Sequence, residues 1–322
     1  MSAEASQLPK IDLSGVDPSA PGAGAWPAVR AQVMGALAAF GCFVAHYPAL
    51  TPELRAALFD GAVKPLFALP VDSKRRNYYG PEPEKFFHGY LGEPQGLDGQ
   101  ESLAIMDPTK HEAVRAFADL VWPDAGDGDN AGFCETVHGA AKRMAELEEA
   151  VRRMVLEGLG VAERHEPLNE STWHLFRMWR YDSGEKKFRH PGSPGPHQDT
   201  NALSVVCQHE VEGLEVRTKA GDWIRVEPSP ASLVVMVGNA LRAWTNDRLH
   251  APFHRVIVRG DAPRYSAILF SIPGCKIQAP EELVDDEHPP RFKPYYHDDF
   301  VGFSVSEEAA RHEDKLKAYC GL

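Results

Sequence analysis

The chain has no unbroken apolar run near the roughly 18 residues that a membrane-spanning helix needs. It also lacks paired cysteine spacing. Cys42, Cys134, Cys207, Cys275 and Cys320 are odd in number and scattered, with no C-x-x-C for zinc or redox chemistry, which points to a reduced compartment. Positive charge is in short supply: Lys and Arg number 34 against 46 Asp and Glu. The net charge of −12 at pH 7 argues against nucleic acid or an anionic membrane as a bulk partner. The opening MSAEASQLPK has no basic start followed by an apolar stretch, so a cytoplasmic protein is expected. There is no internal repeat or low-complexity segment. The 322 residues, 43% of them hydrophobic, suffice for one large domain or two small ones.

Apolar residues spaced by three and four predict helices over 26–40, 52–67 and 110–122. The clearest helix spans 133–159. There Met144, Leu147, Val151, Met154 and Val155 form one stripe, and Gly158 and Gly160 mark the end. After about residue 172 the pattern changes to short β-type runs over 202–208, 214–217, 223–226, 233–237, 255–258 and 265–270, separated by turn signals such as KAGD, PSPAS and RGDAP. The expected fold is α+β with a mainly β core: a double-stranded β-helix, or jelly roll, with N-terminal and flanking helices. Residues 1–170 are expected to form a mostly helical region packed on the core, 171–275 the jelly roll carrying the site, and 276–322 a C-terminal segment with a polar helix over 306–319.

In PGPHQDTNALSVV, His197 and Asp199 stand two apart at the start of a predicted strand, so their side chains leave the same face. His254 in APFHRVIV offers a third ligand, again at a strand start. Two imidazoles and one carboxylate on one side of an ion suit non-haem iron(II), because the remaining coordination positions stay open. H-x-D alone is a weak signal, since His297 with Asp299 and His312 with Asp314 repeat it; those pairs lie in the polar C-terminal region and are read as solvated surface charge. Greater weight comes from Arg264 and Ser266, the chain's one R-x-S, placed ten positions after His254 with both side chains on one strand face. A guanidinium fork beside a hydroxyl is what a buried carboxylate needs, and the distal carboxylate of 2-oxoglutarate fits that description while its keto acid end chelates iron. For Arg264 alone, a surface salt bridge would be the ordinary alternative.

With these residues in place the chain resembles the plant soluble 2-oxoglutarate-dependent dioxygenases, of the isopenicillin N synthase-like type. The likeness runs nearly the whole length, through LPKIDLSG, GCFVAHYPAL, HQDTNALSVV, WIRVEPSPASLVVMVGNAL, HAPFHRV and RYSAILFSIP. FFHGYLG, VRRM and LFRMWRY are most similar to the branch whose members modify glucosinolate side chains. The resemblance implies iron ligands at His197, Asp199 and His254, a co-substrate anchor at Arg264 and Ser266, and a further contact from Tyr181. It also implies ascorbate as reductant, and dioxygen and a small molecule as substrates. Two departures stand out: Trp179 replaces a frequent asparagine, and Gly238-Asn239 replaces a frequent Gly-Asp.

Oxidation of a C–H bond is the implied reaction, hydroxylation by default and desaturation, ring closure or demethylation as variants, with release of succinate and carbon dioxide. Candidate substrate contacts are Phe87 and His88 in the aromatic FFHGYLG segment, Phe176 and Met178 on one predicted strand, and Phe270 and Ile272 on another; core packing is the competing role for the last four. A small, largely apolar specialised metabolite is expected, with inactivation of a gibberellin- or auxin-type hormone as the alternative. A non-catalytic jelly-roll binding module and a zinc hydrolase are further alternatives, but R-x-S has no evident use in a zinc hydrolase. A monomer is expected.

Overall fold

The computed structural model describes residues 7–82, 85, 88–92, 97, 99–124, 130–182 and 195–322. Ten strands follow in chain order: β1 (Lys10–Asp12), β2 (Cys42–His46), β3 (Gln100–Met106), β4 (Thr172–Tyr181), β5 (Leu203–Gln208), β6 (Leu214–Arg217), β7 (Trp223–Arg225), β8 (Ser232–Val237), β9 (His254–Val256) and β10 (Arg264–Pro273). Interleaved with them are α1 (Trp26–Ala39), α2 (Pro52–Ala56), α3 (Lys64–Phe67), α4 (Val71–Lys74), α5 (His111–Val121), α6 (Ala131–Gly158), α7 (His165–Ser171), α8 (Asn239–Trp244), α9 (His297–Ser304) and α10 (Lys315–Cys320).

Seven strands form a major sheet in the order β1-β2-β8-β5-β10-β4-β3, and β7-β6-β9 form a minor one. This is the open, two-sheet jelly roll expected from the spacing of the strands, with helices flanking the larger sheet. The two-residue period of its central strands decides which side chains go where. Leu203, Val205 and Cys207 of β5, Leu233, Val235 and Val237 of β8, and Ala267 and Leu269 of β10 are buried in one cluster with Met144, Leu147, Val151 and Met154 of α6. Val206, Val234 and Met236 point the other way and pack against Leu214, Val216 and Ile224 of the minor sheet. One face of the major sheet therefore meets the long helix, and the other lines the space between the sheets.

Several elements of the first half differ from the helical reading. β1 and β2 pair in parallel, β2 pairs with β8, and β3 pairs with β4, so this part of the chain contributes three strands to the major sheet. The CFVAH strand is buried at most of its positions and so lacks the alternation that marks a strand with one wet face. It follows directly on α1 because Gly41 turns with φ +74, at a point where a Cβ would lie 2.1 Å from the His250 carbonyl oxygen. The expected helix over 52–67 is broken into α2 and α3 by a π-helical stretch, Ala57–Val63. At the C-terminus no single helix spans 306–319: a 3-10 turn at Ala309–Arg311 precedes the short α10, and α9 lies upstream.

α6 also carries a buried charge network. Glu148 is fully buried, with the Arg152 Nε donating to it at 3.1 Å and the His174 Nε2 3.6 Å away. Burial on its own would raise the Glu148 carboxyl, but the charge of Arg152 and the interaction with the His174 ring outweigh it and hold the group at about 2. A folded-state value below the ordinary 4.5 means that this contribution to stability is complete above pH 4.5 and is lost as pH falls towards 2. Glu148→Ala is expected to cost about 3–5 kcal/mol by stranding Arg152, measured by urea unfolding at pH 7. Glu148→Gln is expected to flatten the loss of stability between pH 5 and pH 3.

Candidate metal centre and its surroundings

His197 and His254 are joined backbone to backbone. The amide of His197 donates to the His254 carbonyl at 3.0 Å, and the amide of His254 donates back at 2.9 Å. This hydrogen-bonded antiparallel pair brings two imidazoles to a ring-centroid distance of 4.3 Å. Asp199 lies in the turn before β5, where the sequence had placed it at the strand start itself. The Asn239 amide at the head of α8 fixes its carbonyl at 2.7 Å, and the Ser204 hydroxyl donates to its Oδ2 at 2.5 Å. α8 can come this close only because residue 238 is glycine, since a Cβ there would lie 2.1 Å from the Asn201 carbonyl oxygen.

The Asp199 Oδ1 is 3.7 Å from His197 Nε2 and 3.5 Å from His254 Nε2. Neighbouring ligand atoms about 2.1 Å from one ion and at right angles would be about 3 Å apart, so this donor set fits a single metal. Among the described residues, His197, Asp199 and His254 are the group of three such side chains whose ligand atoms all lie within 4.8 Å of one another. His197 Nδ1 sits 3.0 Å from the Gly195 carbonyl, which selects the tautomer whose Nε2 lone pair faces the centre. Burial, reinforced by His254, holds the His197 ring below the usual imidazole range and so in the neutral form that binds metal.

The inward face of the major sheet continues from this centre. Along β10, Arg264, Ser266, Ile268, Phe270 and Ile272 share that face, and β4 sets Tyr181, Trp179, Arg177, Leu175 and Trp173 directly beside them. Arg264 is 1% exposed. Its Nη1 donates to the Ser266 hydroxyl at 3.2 Å and its Nη2 to Gln208 Oε1 at 2.9 Å, while its Nε has no partner among the described residues. The guanidinium stands over the Tyr181 ring at 5.3 Å. Burial pulls Arg264 down from its ordinary value, and burial drives the Tyr181 phenol up to about 12, so the tyrosine keeps its proton for donation. No ion pair joins Arg264 to a carboxylate among the described residues. The arrangement can therefore take a carboxylate from outside.

The six proposed substrate contacts divide. Phe270 and Ile272 lie on the inward face with Leu175, Trp173 and Met106. His88 is buried with its ring edge-on to Trp173 at 5.4 Å, and burial holds it down at about 4, hence neutral. Phe176 and Met178 point away from the site, fully buried against the helical layer, because odd and even positions of β4 face opposite ways. Phe87 lies outside the described residues. Ser204 and Gln208 were not singled out from the sequence, and Asn239 stood out only as a departure from a frequent aspartate. A signal was present for the first two, which are the polar positions of LSVVCQ and share the inward face with Val206.

The two spare H-x-D pairs are only half solvated. Asp299 and His312 are exposed, as expected. His297, however, is buried on α9 with its Nε2 3.2 Å from the Thr200 hydroxyl. Asp314 accepts from Arg242 at 3.1 and 3.0 Å and caps α10 through the Lys317 amide. That pairing borders a cleft of about 470 Å³ outside the metal centre, where Arg217 likewise pairs with Glu313 at 2.7 Å. With its arginines neutralised internally, the cleft offers no comparable chemistry.

A sheet pair enclosing two imidazoles, a carboxylate and an unneutralised arginine is the arrangement of an iron- and 2-oxoglutarate-dependent oxygenase. The family model described as the 2OG-Fe(II) oxygenase superfamily matches residues 173–273. The chain is 40% identical to the probable 2-oxoglutarate-dependent dioxygenase AOP1.2 of Arabidopsis thaliana, over 98% of this chain and 96% of the relative. It is 41% identical to a probable 2-oxoglutarate-dependent dioxygenase AOP1 of the same plant, over 94% and 97%. Among solved structures, the rice dioxygenase for auxin oxidation superposes with a TM-score of 0.79 at 32% identity, covering 98% of this chain and all of that one. The chain belongs to the 2-oxoglutarate- and Fe(II)-dependent dioxygenases, in their AOP-like branch. It is an oxidoreductase that uses iron(II) and 2-oxoglutarate.

Ser204 tests how the centre is held. Ser204→Ala removes the hydroxyl that orients Asp199 and is expected to weaken Co(II) binding about 10- to 100-fold, read by titration calorimetry. An unchanged affinity would show that the carboxylate needs no such support.

Proposed function

We propose that His197, Asp199 and His254 hold the iron, that Arg264, Ser266 and Tyr181 anchor the distal carboxylate of 2-oxoglutarate, and that the enzyme hydroxylates a small, largely apolar specialised metabolite. The observation that carries the anchor is Arg264, a guanidinium 1% exposed with no carboxylate partner among the described residues. Sealing a cation away from water without a counterion is costly, and a dianionic co-substrate removes that cost on binding. Gln208 orients the fork from the neighbouring strand, and Tyr181 offers a protonated phenol to the same carboxylate. When bound, iron(II) and 2-oxoglutarate supply the activation of dioxygen for C–H oxidation, with release of succinate and carbon dioxide. Phe270, Ile272, Leu175 and Trp173 supply an apolar wall that excludes water and orients the substrate.

Hormone inactivation is the second reading, favoured by the auxin-oxidising enzyme of rice at 32% identity. A non-catalytic module is disfavoured because the donor triad and the arginine are both intact. No helix among the described residues is long and apolar enough to cross a membrane, and action as a cytoplasmic monomer fits the scattered cysteines and acidic charge. Light scattering checks the oligomeric state.

The deciding experiment supplies iron(II), 2-oxoglutarate and ascorbate to the protein with a panel of specialised metabolites and hormones, and follows succinate and substrate mass together. Coupled succinate with a gain of about sixteen mass units identifies hydroxylation; complete absence of succinate would refute the catalytic reading. Arg264→Ala is expected to raise the half-saturating 2-oxoglutarate concentration roughly 30-fold or more, because losing one partner of a buried charged pair costs about 2–5 kcal/mol. An unchanged requirement would remove Arg264 from the anchor.

A further inference from the structure

The inward face of β4 carries a second buried guanidinium. Arg177 is 2% exposed. Its Nη1 donates to the Ser102 hydroxyl at 2.6 Å and to the Gly89 carbonyl at 3.2 Å, while its Nη2 is buried with no hydrogen-bond partner among the described residues. No carboxylate among those residues pairs with it. Burial pulls the group down to about 9, against which only the phenols of Tyr181 and Tyr79 act. It therefore stays a cation near neutral pH, and an uncompensated one.

Its position relative to the centre follows from strand register. Arg177 stands beside Ile268 of β10, midway between Ser266 and Phe270. Phe270 is in turn the cross-strand partner of Ser204, whose hydroxyl holds Asp199. Arg177 thus lies one strand away from the line that runs from the co-substrate anchor to the metal ligands. It is also separated from Arg264 by two aromatic rings. Tyr181 lies under Arg264, Trp179 stacks on Tyr181 at 5.5 Å, and the Arg177 guanidinium stands 5.7 Å from the Trp179 ring. The rings stabilise each cation and keep the two apart. A carboxylate at Arg264 does not neutralise Arg177, and the nearby His88 is a neutral ring. Apolar side chains, Leu175, Trp173 and Phe270, continue the wall beyond it.

We propose that Arg177, with the Ser102 hydroxyl beside it, receives an oxyanion of the organic substrate, so that this enzyme acts on small acids with an apolar body and discriminates against their neutral counterparts. The proposal rests on the dioxygenase reading given above. A carboxylate and a sulfate share the required chemistry: at least two equivalent oxygen acceptors and a full negative charge.

The test measures equilibrium binding to the protein loaded with iron(II) and 2-oxoglutarate under nitrogen, read by tryptophan fluorescence. The probes are matched pairs: 3-phenylpropionate with 3-phenylpropionamide, indole-3-acetate with indole-3-acetamide, and benzyl sulfate with benzyl alcohol. The anionic member of at least one pair is expected to bind about 10- to 100-fold more tightly than its neutral partner, the worth of charge-assisted hydrogen bonds to a buried arginine. Whether the preference lies with the carboxylates or the sulfate identifies the anion. Arg177→Met is expected to bring the ratio close to one, and Arg177→Lys to retain part of it. If the methionine variant does not fold, as judged by its thermal melt, the reduced ratio in the lysine variant carries the test. A wild-type protein with no anion preference in any pair, or a ratio unaltered in the variants, overturns the proposal. Succinate formation by the wild type in air is read separately. Its absence refutes the dioxygenase reading, whereas succinate formation without anion preference refutes this inference alone.

Discussion

The two backbone hydrogen bonds between His197 and His254 hold together parts of the chain that have no local reason to meet. One residue follows β4 and precedes β5 of the major sheet; the other opens β9 of the minor sheet. Because the pair is of the hydrogen-bonded antiparallel kind, the two side chains leave the same side of the ladder, and the imidazoles converge without any side-chain contact having to position them. Asp199 then needs only the α8 amide and the Ser204 hydroxyl to complete the set. The geometry of the centre is thus written mostly in main-chain hydrogen bonds, which are stiffer than side-chain rotamers and survive substitution in the pocket. Asn239 illustrates the point: its backbone amide serves Asp199, while its own side-chain oxygen is buried with no partner among the described residues. The change from the frequent aspartate leaves the ligand's support intact.

The rest of the site is organised by burying positive charge without internal negative charge. Several buried or half-buried cations elsewhere are neutralised by carboxylates, Lys74 by Glu101, Arg152 by Glu148, and Arg242 by Asp247 and Asp314, while the buried Arg55 is held by the backbone carbonyls of Gln208, His209 and Ser229. Among the described residues Arg264 and Arg177 have neither a carboxylate partner nor a full set of acceptors, and both stand on the inward face of the β10-β4 pair. An unneutralised guanidinium weakens the unliganded fold, and proteins retain such groups where a ligand compensates them. The contrast between these two arginines and the paired ones in the same molecule is therefore informative in a way that burial alone is not.

Much of this was legible in the sequence, for reasons that can be traced to particular residues. The six short β-type runs are rich in β-branched or apolar residues and bounded by turn signals, the stripe on α6 has helical spacing, and the corresponding elements form where expected. His197, Asp199, His254, Arg264 and Ser266 stood out because ligand chemistry demands particular residue types at particular spacings, and the fold brings the first three together and sets Arg264 beside Ser266. β2 was hidden because its five residues follow directly on the helical pattern of α1, and α9 because two helical turns are too short to establish a period. His297 seemed solvated from its polar neighbours, yet α9 turns it inward to Thr200. Phe176 and Met178 were legible as strand residues, but which face they serve was not. That choice was set by Arg177 between them, which takes the inward face and sends both apolar neighbours to the helix side.

This last assignment bears on how such a scaffold changes its substrate. On β4 the alternation sends Phe176 and Met178 into the helical layer, where core density constrains them, while Arg177, Trp179 and Tyr181 face the other way, towards the proposed site. Substitution at an outward position would disturb packing across the whole layer. Substitution at Arg177, Trp179 or Trp173 would change the inward face alone, with the proposed metal ligands held by separate main-chain bonds. If selectivity lies on that face as proposed, a fold that keeps its centre on backbone geometry can exchange substrates with few changes. Family membership therefore fixes the reaction here far more firmly than it fixes the molecule oxidised.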